Sequence, residues 1–124
     1  MSNKNFTKPS ELLRAAKEII STPDSWCQNS LAINDKEWGV SSLSPEACAW
    51  CSIGCLVKAT DGNGASNGDS VYSEAGGYLT SIVSLFANPD NPVDSIAHFN
   101  DSHSHERVME LFDMAIEKAE GEGK

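Results

Sequence analysis

The sequence predicts an all-α fold, a compact bundle of four to five helices in a single domain covering residues 1–124. Three observations predict it. Apolar residues recur at helical spacing in three long stretches, turn-forming clusters separate those stretches, and neither βαβ alternation nor an internal repeat occurs. At 124 residues a chain of this size buries about two-thirds of its unfolded surface without disulfides or metals. The core is expected over roughly residues 10–119, with a flexible loop at 61–69 and a fraying end at 120–124.

The elements follow in order. Between Ser10 and Ile20, apolar residues stand at 12, 13, 16, 19 and 20, which marks one face of a helix. Pro9 and Glu11 suit its first turn, and Thr22-Pro23 ends it. A short helix or turn is expected from Ser25 to Ile33, then a loop from Asn34 to Leu43 with one extended piece around Trp38. Ser44-Pro45-Glu46 reads as a helix start: a capping hydroxyl, proline at the first helical position, and a carboxylate at the positive end of the dipole. That helix carries the cysteines and ends near Thr60.

Asp61-Gly62-Asn63-Gly64-Ala65-Ser66-Asn67-Gly68-Asp69 has the composition of a surface loop. Asp61 and Asn63 imitate the start of an EF-hand. Ser66 then stands where that loop needs glycine and Tyr72 where it needs glutamate, so it is not read as a calcium site. A long helix follows, with Val71, Tyr72, Ala75, Tyr78, Leu79, Ile82, Val83 and Phe86 on its apolar face. Gly76-Gly77 inside it costs roughly 1 kcal/mol per glycine, so the pair either admits another backbone or marks a later helix start. Asn88 to Pro92 is a linker, Ser95 to Asn100 a short helix, and Asp101 or Ser102 the cap of a last helix. The stripe of that last helix is Val108, Leu111, Phe112, Ala115, Ile116 and Ala119.

Charge excludes some functions. The chain carries 18 acidic and 9 basic residues, a net charge of −9. Such a surface repels phosphate backbones, so direct nucleic-acid binding is not expected, and basic protein surfaces are the partners it would attract. Acidity also keeps a small protein in solution, which is the plainer reading. No stretch approaches the ~20 apolar residues of a membrane span, and the N-terminus lacks a signal peptide's apolar core. A cytoplasmic setting with reduced cysteines is therefore expected.

Three of the four cysteines fall in Cys48-Ala49-Trp50-Cys51-Ser52-Ile53-Gly54-Cys55. Placed on a helix, Cys48, Cys51 and Cys55 share one face, and reduced cysteine packs there as a small apolar residue. On that packing, serine at position 51 would be tolerated less well than alanine. A zinc site is the second reading, from Cys48 and Cys51 with His98, His103 or His105. The absence of a second Cys-x-x-Cys weighs against it, so no metal and no cofactor are expected. The third reading is a nucleophile at Cys51, with His98 as base and Asp101 to orient it.

Trp26-Cys27-Gln28, Trp50 to Leu56, and Ile96-Ala97-His98-Phe99-Asn100-Asp101 before the last helix resemble an uncharacterised family of bacteriophage and actinobacterial genomes. Its pattern is a Trp-x-Gln element, a Cys-x-x-Gly-[Ala/Cys]-Leu helix and an aromatic-Asn-Asp motif. The resemblance spans about residues 10–119, with Asn29 where the family has glycine. It implies a helical fold and a phage or bacterial setting, and no activity.

Two readings of the matched residues stand side by side. Asn100-Asp101 can close a turn and cap the last helix, while Trp26, Trp50 and Phe99 anchor the core. Alternatively, Trp26, Gln28, Cys51, His98, Asn100 and Asp101 converge on one ligand-binding pocket. The expected function is a non-enzymatic acidic binding protein for a protein or small ligand, with a phage-encoded inhibitor of a host defence component suiting size, charge and setting. A cysteine-dependent hydrolase or transferase centred on Cys51 and His98 is the alternative. A homodimer through the 71–86 stripe is also expected.

Overall fold

The computed structural model describes residues 6–61, 70–87, 90 and 95–124. Helices dominate it, but the fold is not all-α. Among the described residues five α-helices are joined by a three-stranded antiparallel sheet. The helices are α1 (Pro9–Ile19), α2 (Ser52–Ala59), α3 (Ser70–Phe86), α4 (Ile96–Ser102) and α5 (His105–Gly121), and the strands are β1 (Ala32–Ile33), β2 (Gly39–Val40) and β3 (Ala49–Trp50).

α1 is central because its apolar stripe is complete. Leu12, Leu13, Ala16 and Ile20 are all fully buried, and the helix packs on α2, α3 and α5. Burying a large apolar side chain of this kind stabilises a fold by roughly 1.5–3 kcal/mol. α5 contributes Val108, Leu111, Phe112, Ala115 and Ala119 to the same core, and α3 contributes Ala75, Leu79, Ile82 and Val83. Two exposed ion pairs tie α1 to α5: Arg14 with Glu120 at 2.6 Å and Lys17 with Asp113 at 2.5 Å. Exposed pairs of this sort are worth little individually, so the apolar stripes hold the helices together. The last residues continue this arrangement. After α5, the Lys124 N–H donates to the Ala119 carbonyl, and the Ser10 hydroxyl donates to the Lys124 carbonyl.

The long helix runs unbroken through Gly76-Gly77, and a Cβ at either position would meet nothing within 4 Å. The pair therefore accommodates no neighbouring backbone among the described residues. The loop at 62–69 and most of the linker at 88–94 lie outside the described residues, and the calcium question with them.

The sheet overturns the single cysteine helix. Ser44-Pro45-Glu46-Ala47 is one turn, closed by the Ala47 N–H on the Ser44 carbonyl at 3.0 Å, with the Ser44 hydroxyl accepting from Glu46 N–H at 3.1 Å. Proline at the second position of a turn and proline at the start of a helix need the same φ, so one signal served either outcome. The chain then extends. Cys48 donates its N–H to the Ile33 carbonyl at 2.9 Å, and β3 pairs with β1 as Ala32↔Trp50 and Ile33↔Ala49. On the other side β1 pairs with β2 as Ala32↔Val40 and Ile33↔Gly39, so the strand order is β2-β1-β3. The Ser25–Ile33 stretch, expected as a helix or turn, holds no α-helix: a short 3-10 turn at Pro23–Ser25 ends as it begins, and the chain then bends at 28–31 and enters β1. The expected extended piece around Trp38 is β2.

α2 begins only at Ser52, and Gly54 explains why it begins there. The Leu31 carbonyl accepts the Cys51 N–H at 3.1 Å and lies so close to α2 that a Cβ on Gly54 would sit 1.9 Å from the Leu31 oxygen. Only glycine allows the sheet and the helix to meet at that distance.

Candidate functional site

The segment from Trp26 to Asn29 leads into the sheet, and Asn100 on α4 joins this segment to the start of α2. Its side chain is fully buried. Asn100 Oδ1 accepts from Trp26 Nε1 at 2.8 Å, from the Ser52 N–H at 2.9 Å and from the Ser52 hydroxyl at 2.7 Å. Asn100 Nδ2 donates to the Cys27 carbonyl at 3.0 Å and to Asp101 Oδ1 at 3.1 Å. The orientation of the amide follows from these partners, since three donors can face only its oxygen. Around it, Gln28 Nε2 donates to the carbonyls of Asn100 and His103 at 3.1 and 3.0 Å. Asp101 Oδ1 accepts the Asn29 N–H at 2.8 Å, where Asn29 holds a left-handed φ of 68°.

Trp26, Gln28, Asn100 and Asp101 thus form one bonded unit, with Cys51 beside it next to Ser52. His98 lies on the exposed side of α4, where its N–H is capped by the Ser95 hydroxyl at 3.0 Å and its carbonyl takes the Ser102 hydroxyl at 2.7 Å. Asn100 and Asp101 do not cap the last helix. Both belong to α4, and Ser104 caps α5 by accepting the Arg107 N–H. Phe99 is fully buried and stacks on the His103 ring with centroids 3.9 Å apart, whereas Trp26 and Trp50 are half-buried at the edge of the core.

The cysteines occupy three different environments. Cys48 is exposed at the start of β3, Cys55 is fully buried in α2, and Cys51 is the N-cap residue of α2, its Sγ accepting the Gly54 N–H at 3.3 Å. Burial raises the Cys51 thiol above its ordinary value, against the lowering effect of the Gly54 and Ile53 N–H groups. Cys55 is raised well above it by burial, and Cys27 is pushed up to about 12 by burial and then by its neighbours Cys51, Asp101 and Cys48. Among the described residues no group of three or more His, Cys, Asp or Glu side chains is arranged to hold a metal ion.

On the far side of Trp26 a groove of about 740 Å³ opens between the Trp26–Ser30 segment and the β1–β2 hairpin. Its lining includes Asp24, Asp35 and Glu37, the half-buried rings of Trp26 and His105 (centroids 5.6 Å apart), Asn34 and the exposed thiol of Cys48. Sequence reasoning named Trp26 and Gln28 here and missed the hairpin residues. The available signal was the pair of acids in Asn34-Asp35-Lys36-Glu37-Trp38, which carries no period.

The class these elements define is a helix-dominated α/β domain with a small antiparallel sheet and a buried asparagine joining two helices to the segment that leads into the sheet. Within that class, the chain belongs to the family of unknown function DUF6197, whose model matches residues 5–118. Neither the curated proteins nor the solved structures contain a match to the chain. Among the described residues no helix is long and apolar enough to cross a membrane.

Proposed function

We propose that the protein is a non-enzymatic binding protein that works by holding a partner on its acidic surface. The observation that carries this reading is the construction of Cys51. A catalytic thiol must be accessible, and it must ionise readily, which requires a lowered pKa. Here the Cys51 thiol is 6 % exposed, serves as the cap of α2 and is raised by burial. The bonds of the Asn100 unit likewise go to the protein's own side chains and backbone, which suits a structural joint. A phage setting, and a role as inhibitor of a host defence component, fit the size and the net charge of −9.

Alkylation tests the reading directly. Native protein treated with iodoacetamide at neutral pH should label at Cys48 and leave Cys51 unmodified until denaturant is added, as peptide mapping by mass spectrometry would show. Labelling of Cys51 in the native state faster than an ordinary free thiol would overturn it.

A further inference from the structure

Resting on the binding reading above, we propose that the groove between Trp26 and the β1–β2 hairpin binds a basic segment of a partner polypeptide, taking an arginine or lysine side chain between its carboxylates. Asp24, Asp35 and Glu37 line the groove, and no lysine or arginine does. Lys36 stands between two of these acids in sequence, yet it does not line the groove; its ammonium lies 5.6 Å from the ring centre of Trp38, which is not a lining residue either. No lysine or arginine among the lining residues neutralises these acids, and a concave wall concentrates such a field. The Trp26 ring adds a surface on which a guanidinium can stack.

A second observation points to a ligand with a backbone. Asn34 lines the same groove and is only 8 % exposed. Its Oδ1 is fixed by the N–H groups of Lys36 and Trp38 at 2.9 and 3.0 Å. That leaves Nδ2 as a donor with no acceptor among the described residues; it is not one of the fully enclosed unpaired atoms, and its residue lines the groove. An incoming carbonyl can take this donor's hydrogen bond in place of solvent. A simple polyamine brings charge and no carbonyl, whereas a peptide brings both.

The test uses the full chain and a short fluorescein-labelled peptide of alternating glycine and arginine, read by anisotropy. Binding should weaken about tenfold or more in the double variant Asp35→Asn/Glu37→Gln, as loss of charge-assisted contacts predicts. The control Glu18→Gln/Glu117→Gln removes the same charge from exposed sites outside the groove and should change binding by less than about twofold. Spermine should bind at least about tenfold more weakly than the peptide, because it cannot satisfy Asn34. Bound peptide should slow alkylation of Cys48, the exposed thiol in the groove. No peptide binding, equal loss in both double variants, spermine binding as tight as peptide, or unprotected Cys48 would each overturn the groove assignment. Cys51 is mapped in the same alkylation run. If it stays unlabelled while the peptide fails, the groove assignment falls and the binding reading stands; if it labels rapidly, the binding reading falls on its own account.

Discussion

Ser52 donates twice to one atom of Asn100, through its N–H at 2.9 Å and its hydroxyl at 2.7 Å, across 48 residues of sequence. With Trp26 Nε1 as a third donor on the same oxygen, helix α4, the start of α2 and the segment leading into the sheet share a single acceptor. The two Ser52 bonds are buried, so no water replaces a partner lost there, and the Trp26 bond is partly buried.

Replacing Asn100 with alanine should therefore be severe. It leaves the Ser52 hydroxyl and N–H and the Trp26 indole without their acceptor and the Cys27 carbonyl without a donor. Each such group costs about 1–3 kcal/mol when stranded, so a loss of roughly 3 kcal/mol or more is expected. Urea titration followed by tryptophan fluorescence measures it. A loss under about 1 kcal/mol would show that the unit relaxes without Asn100.

Glycine positions should divide sharply. Gly54→Ala drives a Cβ into the Leu31 carbonyl, the atom that also accepts the Cys51 N–H, and should cost roughly 3 kcal/mol or prevent folding. Gly76→Ala or Gly77→Ala meets open space in the middle of α3 and should stabilise by about 0.5–1 kcal/mol. Thermal melts of the three variants side by side decide the matter, and equal shifts would contradict the close approach at Gly54.

For Cys51 the cap reverses the order expected from packing on a shared helix face. Serine is a preferred N-cap residue and keeps an acceptor for the Gly54 N–H, so Cys51→Ser should fold with near-native stability. Cys51→Ala loses the cap and should cost about 1 kcal/mol. Alanine more stable than serine in urea titration would refute the capping role.

Stability should decline at alkaline pH. Cys27 has a folded value of about 12 against an ordinary 9.0, so between those values the unfolded chain has lost a proton that the folded chain retains. The unfolded state then binds fewer protons, and stability falls as pH rises through that window. Cys51 and Cys55 are raised in the same direction and add to the slope. Urea midpoints taken from pH 7 upward should be flat at first and then fall above about 9, less steeply in Cys27→Ala. A midpoint that rises with pH in that window would contradict the burial of these thiols.

What was legible in the sequence depended on period. α1, α3, α4 and α5 each repeat apolar residues at helical spacing or carry a capping serine, and each forms close to its expected place. The sheet had no such mark, because each strand is two residues long and alternation needs more. Ser44-Pro45-Glu46 then favoured a helix that tertiary pairing of Cys48 with Ile33 replaced by a strand. At the site, Trp26, Gln28, Asn100 and Asp101 were named together from motifs. Their meeting depends on contacts more than 70 residues apart in sequence, such as the 74 between Trp26 and Asn100, which no local pattern encodes. Asn34, Asp35 and Glu37 were passed over as loop because they act through a hairpin that was itself not foreseen.

The two sides of the groove differ in how they are anchored. The Trp26–Ser30 side is welded to the interior through Asn100 and Asp101, whereas the hairpin side hangs on two-residue strand ladders and on Asn34 folding back over Lys36 and Trp38. Prising the first side away breaks buried polar bonds, while bending the second disturbs a few bonds near solvent. The two walls are thus unequally braced, and on the proposed binding it is the hairpin that gives way to occupants of different bulk while the helices behind keep their packing.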